Sequence, residues 1–286
     1  MGAGAVAATF AVRAQAQGVL RTWPLGVQLF TVNAELKADL TGTLMRLKAA
    51  GYQTVEAAGL QGLSAQAYRA RIEDAGLVCR GAHVAMSDLV ADLDTHIADT
   101  LALGATWLVC ASPMPPGPLP GRDWVAGMMA AMTPDVWKVN AAHLAAIAPK
   151  VQQAGLKLSY HNHPMEFKDW GGFNGYDLLL AAVPPDQLQT EMDLGWVAAS
   201  GHDPVAMMKR YAGRVALLHV KDMVRDPAIP IGYRSVPVGQ GLIDWPAVFA
   251  TAHAIGVQGF FVEQEPPFHQ PVMQGLAASQ AYLAKL

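Results

Sequence analysis

The sequence predicts an α/β fold of the (β/α)8 TIM barrel class, built as a single domain. From Pro24 onward, eight short β-rich segments alternate with amphipathic segments, which is the pattern of repeated strand and helix units around a parallel sheet. No proline-rich linker divides these units, and 286 residues is a usual length for one such barrel. An open doubly wound sheet is the alternative that periodicity alone does not separate from the closed barrel.

Each predicted strand starts apolar and becomes polar at its end. In chain order the strands are LGVQLFTV from Leu25, QTVEAAG from Gln53, LVCRGAHV from Leu77, TWLVCASP from Thr106, LKLSYHNH from Leu156, LQTEMDL from Leu188, RVALLHVKD from Arg214 and GFFVEQE from Gly259. Several of the segments between them end in a glycine just past the last apolar position, as helix C-caps do. The irregular insert from Ser112 to Asp123 follows the fourth strand, so we expect it at the active-site rim.

Composition excludes some classes of partner. The formal net charge is −3, so the chain lacks the excess of basic residues that nucleic-acid binding usually requires. Hydrophobic residues make up 52%, but no apolar run is long enough to cross a bilayer. We therefore expect no nucleic acid and no membrane partner, and a homo-oligomer is left open. Cys79 and Cys110 lie in apolar stretches and are predicted to be buried structural thiols.

The first residues have the composition of a targeting segment. Residues 1–16 read MGAGAVAATFAVRAQA, which is small and apolar and ends in a pattern suited to signal cleavage. We interpret residues 1–20 as the remnant of a twin-arginine-like signal peptide or as a disordered tail, and residues 21–286 as the barrel. The first interpretation predicts a periplasmic or exported protein, and the second a cytoplasmic one.

Ionisable side chains gather at the predicted strand ends, two residues apart and therefore on one face of each strand. The pairs are His161 and His163, Glu191 and Asp193, His219 and Lys221, and Glu263 and Glu265. An apolar interior tolerates so many ionisable groups only if they are paired, hydrated or bound to a cation. Mixed histidine and carboxylate donors suit a divalent metal, and we expect Mn²⁺ first, with Co²⁺, Fe²⁺, Zn²⁺ or Mg²⁺ as alternatives. For any single histidine, a plain hydrogen bond is the competing explanation.

Five motifs resemble one known superfamily. The stretches YHNHPMEF, MDLGWVAASGHDP, GRVALLHVKDM, VGQGLIDW and FFVEQE closely resemble the xylose isomerase-like sugar phosphate isomerase/epimerase superfamily, from about Leu25 to the C-terminus. The resemblance implies a TIM barrel with Asp193, His219 and Glu263 as metal ligands. A glutamate usually supplies the fourth ligand on strand five, and His161 stands at that position. We expect His161 to bind the metal, with His163 or Glu166 as substitutes.

The same resemblance leaves several reactions open. A divalent ion beside a sugar carbonyl eases removal of the neighbouring carbon-bound proton, so an isomerase or epimerase is the first prediction. A 3-keto-glycoside lyase or hydrolase, or an elimination like that of inosose dehydratase, is the alternative, since the usual glutamate is replaced. An endonuclease IV-like nuclease is disfavoured by the acidic balance, and a non-catalytic sugar-binding barrel remains as a third class.

Further residues are candidates for proton transfer and substrate binding. The predicted catalytic residues are Glu166, His163, Lys221, Glu56 and His83, and the predicted substrate-binding residues are Trp196, Arg225 and Glu265. Alternatives are a structural pair between Lys221 and Asp222, a solvated Arg225, and packing roles for Trp196 and Trp170. The VGQG stretch is too short to indicate a phosphate cradle, so we expect an unphosphorylated carbohydrate substrate.

Overall fold

The computed structural model describes residues 23–286 and confirms the closed eight-stranded parallel barrel. The barrel strands are β1 (Gly26–Gln28), β2 (Thr54–Ala58), β3 (Val78–Val84), β4 (Trp107–Cys110), β5 (Lys157–His161), β6 (Gln189–Asp193), β7 (Val215–Val220) and β10 (Gly259–Val262). Around the barrel their order is β1-β10-β7-β6-β5-β4-β3-β2, so the first strand pairs with the last. The predicted signal segment, residues 1–20, lies outside the described residues.

Helices surround the barrel between successive strands. They are α1 (Asn33–Ala38), α2 (Leu40–Ala49), α3 (Ala65–Asp74), α4 (Met86–Ala91), α5 (Leu93–Ala102), α6 (Trp124–Ala131), α7 (Pro134–Gln153), α8 (Gly175–Ala182), α9 (Leu194–Ala199), α10 (Pro204–Arg210), α11 (Trp245–Ile255) and α12 (Val272–Leu283). Their ends follow from local chemistry. Ser64 accepts a hydrogen bond from the Ala67 amide at the start of α3, and Gly256 ends α11 in the left-handed conformation. None of the helices in residues 23–286 is long and apolar enough to cross a bilayer.

Two of the predicted strands end early in 3₁₀ turns. The first strand gives way to a 3₁₀ turn at Leu29–Val32, where the Gln28 side chain accepts a hydrogen bond from the Phe30 amide. The fifth gives way to a second 3₁₀ turn at Pro164–Phe167, since proline fixes φ and cannot donate to a strand ladder. These turns direct the chain away from the barrel just beyond the polar strand ends.

A hairpin follows β7 that the sequence analysis did not predict. Strands β8 (Asp222–Arg225) and β9 (Tyr233–Val236) pair antiparallel as a separate two-stranded sheet. The predicted seventh strand, RVALLHVKD, runs to Asp222, which is instead the first residue of β8. The hairpin extends the chain past the barrel at the carboxyl ends of its strands.

The barrel interior is apolar in one layer and ionisable in the next. Trp107, Val109, Ala216, Leu217 and Phe261 form a buried cluster inside the barrel. The ionisable residues lie further along the same strands, toward their carboxyl ends. Active sites of this fold form at that end, so the architecture places the polar cluster where chemistry is expected.

Candidate active site

A cavity of about 530 Å³ opens at the carboxyl ends of the barrel strands. It is lined by Phe30, Asn33, Ala58, Gly59, His83, Ala111, Ser112, Trp124, His161, His163, Glu263 and Glu265. Ser112 and Trp124 stand at the two ends of the irregular insert that follows β4, so both ends of this segment lie at the cavity. The volume suits a small molecule of carbohydrate size.

The structure brings the four predicted metal ligands together. One donor atom from each of His161, Asp193, His219 and Glu263 lies within 4.8 Å of the other three, and all four residues are buried. Asp193 Oδ2 lies 3.9 Å from His161 Nε2 and 3.9 Å from His219 Nδ1, and Glu263 Oε2 lies 2.9 Å from His219 Nδ1. Donors bound to one ion at about 2.0–2.2 Å have this kind of spacing, so the set fits a divalent cation.

Glu191 forms a second group of donors with three histidines. Its Oε2 lies 2.7 Å from His83 Nε2, 3.2 Å from His161 Nδ1 and 3.0 Å from His219 Nε2. The sequence analysis noted Glu191 at a strand end but gave it no role. Its position two residues before Asp193, on the same face of β6, was the available signal.

Buried negative charge exceeds buried positive charge around this cluster. Glu56, Glu191 and Asp193 are fully buried and Glu263 is 4% exposed, whereas Lys221 is the one permanently charged cation that contacts them among the described residues. Within the part of the chain described, the buried oxygens Glu56 Oε1 and Glu191 Oε1 have no hydrogen-bond partner. Uncompensated buried carboxylates are costly, so the surplus supports a bound cation.

The pKa values within the cluster diverge. Burial lowers the pKa of His161 to about 3, reinforced by the charge of neighbouring His219. Burial also lowers the pKa of His83, but the charge of Glu56 and the hydrogen bonds from Glu191 and Glu56 outweigh it and raise that pKa to about 9. Burial raises the pKa of Asp193 to about 6 against the opposing charge of Lys221. Proton affinity within the cluster therefore rises at His83 and Asp193 and falls at His161.

Lys221 is enclosed by carboxylates and does not pair with its neighbour in the chain. Its Nζ lies 2.8 Å from Asp193 Oδ2, 2.9 Å from Glu263 Oε2 and 2.5 Å from Glu265 Oε1. The Trp196 ring lies beneath it, with its centroid 4.6 Å from Nζ. The suggested structural pair with Asp222 is therefore wrong.

Asp222 instead organises the glycine-containing loop after the hairpin. Its Oδ2 accepts hydrogen bonds from the amides of Gly239 and Gly241 at 2.8 and 3.0 Å, and from Trp245 Nε1 at 2.9 Å. Adjacent residues of an extended chain point to opposite sides, which sends Lys221 into the site and Asp222 into the loop. The VGQG motif thus has a structural explanation.

His163 and Glu166 occupy different environments. His163 lines the cavity, with the Trp124 and Trp196 rings 4.8 and 6.1 Å from its own. Glu166 is fully buried, and its two oxygens accept hydrogen bonds from the Tyr160 hydroxyl at 2.7 Å and the His163 amide at 2.9 Å. Burial raises the pKa of Glu166 to about 8 despite those bonds. Glu166 thus supports the turn that carries His163.

The other predicted residues are distributed between the cavity and its surroundings. His83 and Glu265 line the cavity, whereas Glu56 lies within the barrel and contacts His219 Nε2 at 2.7 Å. Trp196 is only 5% exposed, so it offers no open face for a sugar ring. Arg225 is exposed on the hairpin beside Tyr233, away from the residues that line the cavity.

Sequence reasoning missed two aromatic side chains at the cavity mouth and one amide beneath it. Phe30 and Trp124 line the cavity and are 47% and 42% exposed. Asn162, between His161 and His163, donates to the Asp193 carbonyl and accepts from the Asp193 amide. The place of Asn162 inside the HNH stretch was a usable signal. Phe30 lies in a 3₁₀ turn and Trp124 is the first residue of α6, and no strand periodicity predicts the direction of either side chain.

Comparison with known proteins agrees with this architecture. The family model described as xylose isomerase-like TIM barrel matches residues 44–286, so the chain belongs to that family. Among curated relatives, inosose dehydratase of Lacticaseibacillus casei is 25% identical over 164 residues, covering 52% of this chain and 54% of the relative. Inosose dehydratase of Geobacillus kaustophilus is 27% identical over 171 residues, covering 54% of each. The chain thus spans about half the length of these relatives.

Solved structures share the fold over nearly the whole chain. A sugar phosphate isomerase/epimerase from Parabacteroides distasonis has a TM-score of 0.72 at 24% identity, covering 92% of this chain and 94% of that one. L-ribulose 3-epimerase has a TM-score of 0.64 at 18% identity, covering 91% and 93%. A xylose isomerase-like TIM barrel protein from Mycobacterium smegmatis, solved with magnesium, has a TM-score of 0.64 at 16% identity, covering 93% and 96%.

Proposed function

We propose that this protein is a divalent-metal-dependent enzyme that removes a proton next to the carbonyl of a sugar or keto-sugar. The observation that carries the proposal is the convergence of His161, Asp193, His219 and Glu263 within 4.8 Å beside a cavity of about 530 Å³. Other members of the family are named as epimerases, isomerases and dehydratases, which supports an enzyme acting on a small carbohydrate.

These four residues would hold the ion, and Mn²⁺ is our first choice because the donors mix imidazole with carboxylate. A bound divalent ion supplies Lewis-acid stabilisation of negative charge on a substrate oxygen. The remaining groups belong to the chain itself. Lys221 is fully buried and does not line the cavity, so its ammonium between Asp193 and Glu265 would balance part of the carboxylate charge beside the ion rather than contact the substrate.

The pKa values of two histidines on the cavity wall, His163 and His83, are shifted in opposite directions. Burial holds the pKa of His163 well below its usual value, so its neutral ring accepts a proton. The charge of Glu56 and the hydrogen bonds from Glu191 and Glu56 raise the pKa of His83 to about 9 against the effect of burial, so its ring donates one. Groups whose pKa values are driven apart in one cavity are the usual acid and base of a proton-transfer reaction.

Elimination is the second candidate, and the similarity to inosose dehydratases favours it. The first step is the same abstraction at the carbon next to the carbonyl. Loss of an oxygen substituent from the following carbon then gives an unsaturated ketone, with His83 donating the proton that leaves with the oxygen. A 3-keto-glycoside would lose its aglycone by the same route. The net charge of −3 argues against a nucleic-acid substrate.

The test is metal analysis of the purified protein followed by a substrate panel in D₂O. Keto-sugars, an inosose and a 3-keto-glycoside are incubated with Mn²⁺-loaded protein, and ¹H NMR follows exchange of the carbon-bound proton or appearance of a vinyl proton. Exchange alone supports epimerisation or isomerisation, and a vinyl signal supports elimination. Asp193→Asn should abolish either. Ligand binding to the metal-loaded protein without exchange or elimination on any compound would establish a non-catalytic sugar-binding barrel instead.

A further inference from the structure

The rings of His161 and His219 stand between two pairs of carboxylates. Asp193 and Glu263, which we call the outer carboxylates, lie nearer the strand ends. Glu56 and Glu191, the inner carboxylates, lie deeper, and Glu191 precedes Asp193 by two residues on β6, or about 6.6 Å along the strand. Each histidine ring therefore has carboxylate oxygens on both sides.

The two nitrogens of each ring face different pairs. His161 turns Nε2 toward Asp193 at 3.9 Å and Nδ1 toward Glu191 at 3.2 Å. His219 turns Nδ1 toward Glu263 at 2.9 Å, and Nε2 toward Glu56 at 2.7 Å and Glu191 at 3.0 Å. A neutral imidazole has one N–H and one lone pair, so only one side of each ring can face a cation.

We propose that the inner carboxylates Glu56 and Glu191 fix the tautomer and orientation of both histidines for a single divalent ion held by the outer carboxylates. In this arrangement the N–H groups are His161 Nδ1–H and His219 Nε2–H, which donate to the inner carboxylates. The lone pairs of His161 Nε2 and His219 Nδ1 face the ion. Carboxylates that accept from the far nitrogen of a metal-binding histidine raise its basicity and lock its ring. Glu56 and Glu191 are thus positioning residues, and this inference rests on the metal site of the proposed function.

Burial keeps the inner carboxylates in place. Glu56, Glu191 and His219 are fully buried, and His161 is 2% exposed. Gln28 Nε2 donates to Glu56 Oε2 at 2.7 Å, the oxygen that also contacts His83 and His219, and so helps to hold that carboxylate. Movement of either carboxylate toward the outer pair would leave a charge in the protein interior without its partners.

His83 is tied to the same inner pair. Its Nε2 lies 2.7 Å from Glu191 Oε2 and 3.0 Å from Glu56 Oε2, and its ring stacks on His219 with a centroid distance of 5.2 Å and an interplanar angle of 7°. Glu191 is therefore in contact with both metal-facing histidines and with the histidine on the cavity wall. Replacing Glu191 should therefore change both metal binding and the orientation of His83.

An ion among the inner donors is the competing arrangement, since His83, His161, Glu191 and His219 also offer donor atoms within 4.8 Å of one another. If both shared rings are neutral, an ion among these inner donors excludes a second ion beside Asp193 and Glu263, because each ring has a single lone pair. Ions at both sets would require both shared rings to lose their remaining proton. The two arrangements therefore predict opposite tautomers for His161 and His219.

The direct test is long-range ¹H–¹⁵N NMR of the Zn²⁺-loaded protein with ¹⁵N-labelled histidine, with each ring assigned by comparison with the His161→Gln and His219→Gln variants. The expected spectrum has His161 protonated at Nδ1 and His219 at Nε2. The reverse tautomers would overturn the inference. This measurement uses no substrate, so it can fail while proton exchange into a sugar succeeds, and it can succeed while catalysis fails.

Metal titration of three variants gives a second, independent test. With Mn²⁺, Glu191→Gln should weaken binding by about 10- to 100-fold with one ion still bound per chain. Asp193→Asn removes a ligand and should weaken binding further. The control is Glu166→Gln, an equally buried carboxylate that contacts neither metal-facing ring, and its affinity should be unchanged. If Glu191→Gln does not fold, Glu56→Gln replaces it.

Three results would overturn the inference. They are wild-type affinity in Glu191→Gln, a greater loss in Glu191→Gln than in Asp193→Asn, and two ions per chain in the wild type. A greater loss in Glu191→Gln would place the ion among the inner donors. Two ions per chain would mean that the inner and the outer donors each bind one. The visible spectrum of the Co²⁺ form adds a readout that loss of stability alone does not change, and it should shift in Glu191→Gln but not in Glu166→Gln.

Discussion

Lys221 Nζ lies 2.8 Å from Asp193 Oδ2, and both side chains are fully buried. The same ammonium lies 2.9 Å from Glu263 Oε2. Lys221 therefore neutralises the two carboxylates that we assign to the metal. Burial alone lowers the pKa of Lys221, but the charges of Asp193, Glu263 and Glu265 outweigh it and hold that pKa above its usual value. In the proposed metal site, the ammonium and a divalent ion would therefore share the oxygens of Asp193 and Glu263.

Replacing Lys221 with methionine should destabilise the metal-free protein by about 3–5 kcal/mol, since it leaves buried carboxylates without their cation. Added Mn²⁺ should restore more unfolding free energy in Lys221→Met than it adds to the wild type, because the ion then supplies the missing charge. Urea unfolding with EDTA and with Mn²⁺ measures both increments. Lys138→Met, which removes an exposed pair with Asp135, should change stability by less than about 0.5 kcal/mol. Equal Mn²⁺ increments in Lys221→Met and wild type would contradict this account.

Glu166 should make stability fall as pH rises. Its pKa is about 8 in the folded protein against 4.5 in a free side chain, so the folded state holds the proton more tightly. The stability that this carboxyl contributes is complete below about pH 4.5 and is lost as pH rises toward 8, with a slope of at most about 1.4 kcal/mol per pH unit.

Glu166→Gln mimics the protonated form, since its amide can donate to Tyr160 and accept from the His163 amide. Unfolding free energies at pH 5, 6, 7 and 8 should therefore decline less steeply in the variant than in the wild type. Parallel profiles would show that Glu166 is ionised throughout.

Phe30 and Trp124 should act as apolar platforms for a sugar ring. Both line the cavity, and about half of each side chain is exposed. Aromatic faces pack against the C–H faces of pyranoses, so Phe30→Ala and Trp124→Ala should each weaken carbohydrate binding by about 10-fold, or about 1.4 kcal/mol. Calorimetric titration of the metal-loaded protein with the best compound of the substrate panel measures this. Phe268→Ala removes an aromatic ring that is 37% exposed outside that cavity and should leave affinity unchanged. Equal effects at all three positions would argue against the platforms.

The contact between Gly241 and Asp222 should make the loop after the hairpin intolerant of a side chain. A Cβ at Gly241 would overlap Asp222 Oδ1, so Gly241→Ala must displace a carboxylate that accepts hydrogen bonds from five groups. We expect a loss of about 1–3 kcal/mol in unfolding free energy. Gly117→Ala, where nothing lies within 4 Å of the added atom, is the matched control and should be nearly neutral. Chemical denaturation compares them, and equal midpoints would contradict the prediction.

The sequence was sufficient to predict the barrel and the convergence of four donor residues at its mouth, because both follow from the alternation of side chains along strands. Strand alternation places Asp193 and Glu191 on one face, and parallel strands bring their carboxyl ends to one mouth. Contacts across the barrel interior, by contrast, cannot be predicted from the alternation of side chains along a strand. Glu56 and His219 touch although 163 positions separate them, and no periodicity specifies which strand faces which across the interior.

Irregular segments account for the other differences. The turn at Leu29–Val32 depends on a hydrogen bond from the Phe30 amide to the Gln28 side chain, and it directs Phe30 to the cavity mouth. Arg225 lies on the hairpin and not among the cavity-lining residues, because the chain after Lys221 pairs with β9. The first outcome depends on a hydrogen bond between residues two apart and the second on backbone pairing of two short segments. Neither produces a periodic pattern of residue types that the sequence analysis could detect.

The last barrel strand pairs with both the first strand and β7, and the residue just beyond it is Glu263. Three of the four proposed ligands, His161, Asp193 and His219, lie on β5, β6 and β7 and are synthesised first. The fourth, Glu263, follows the strand that closes the barrel. Only a chain that has closed its barrel would therefore bind the cation tightly. A chain truncated before Glu263 would contain both histidines but would bind the ion weakly.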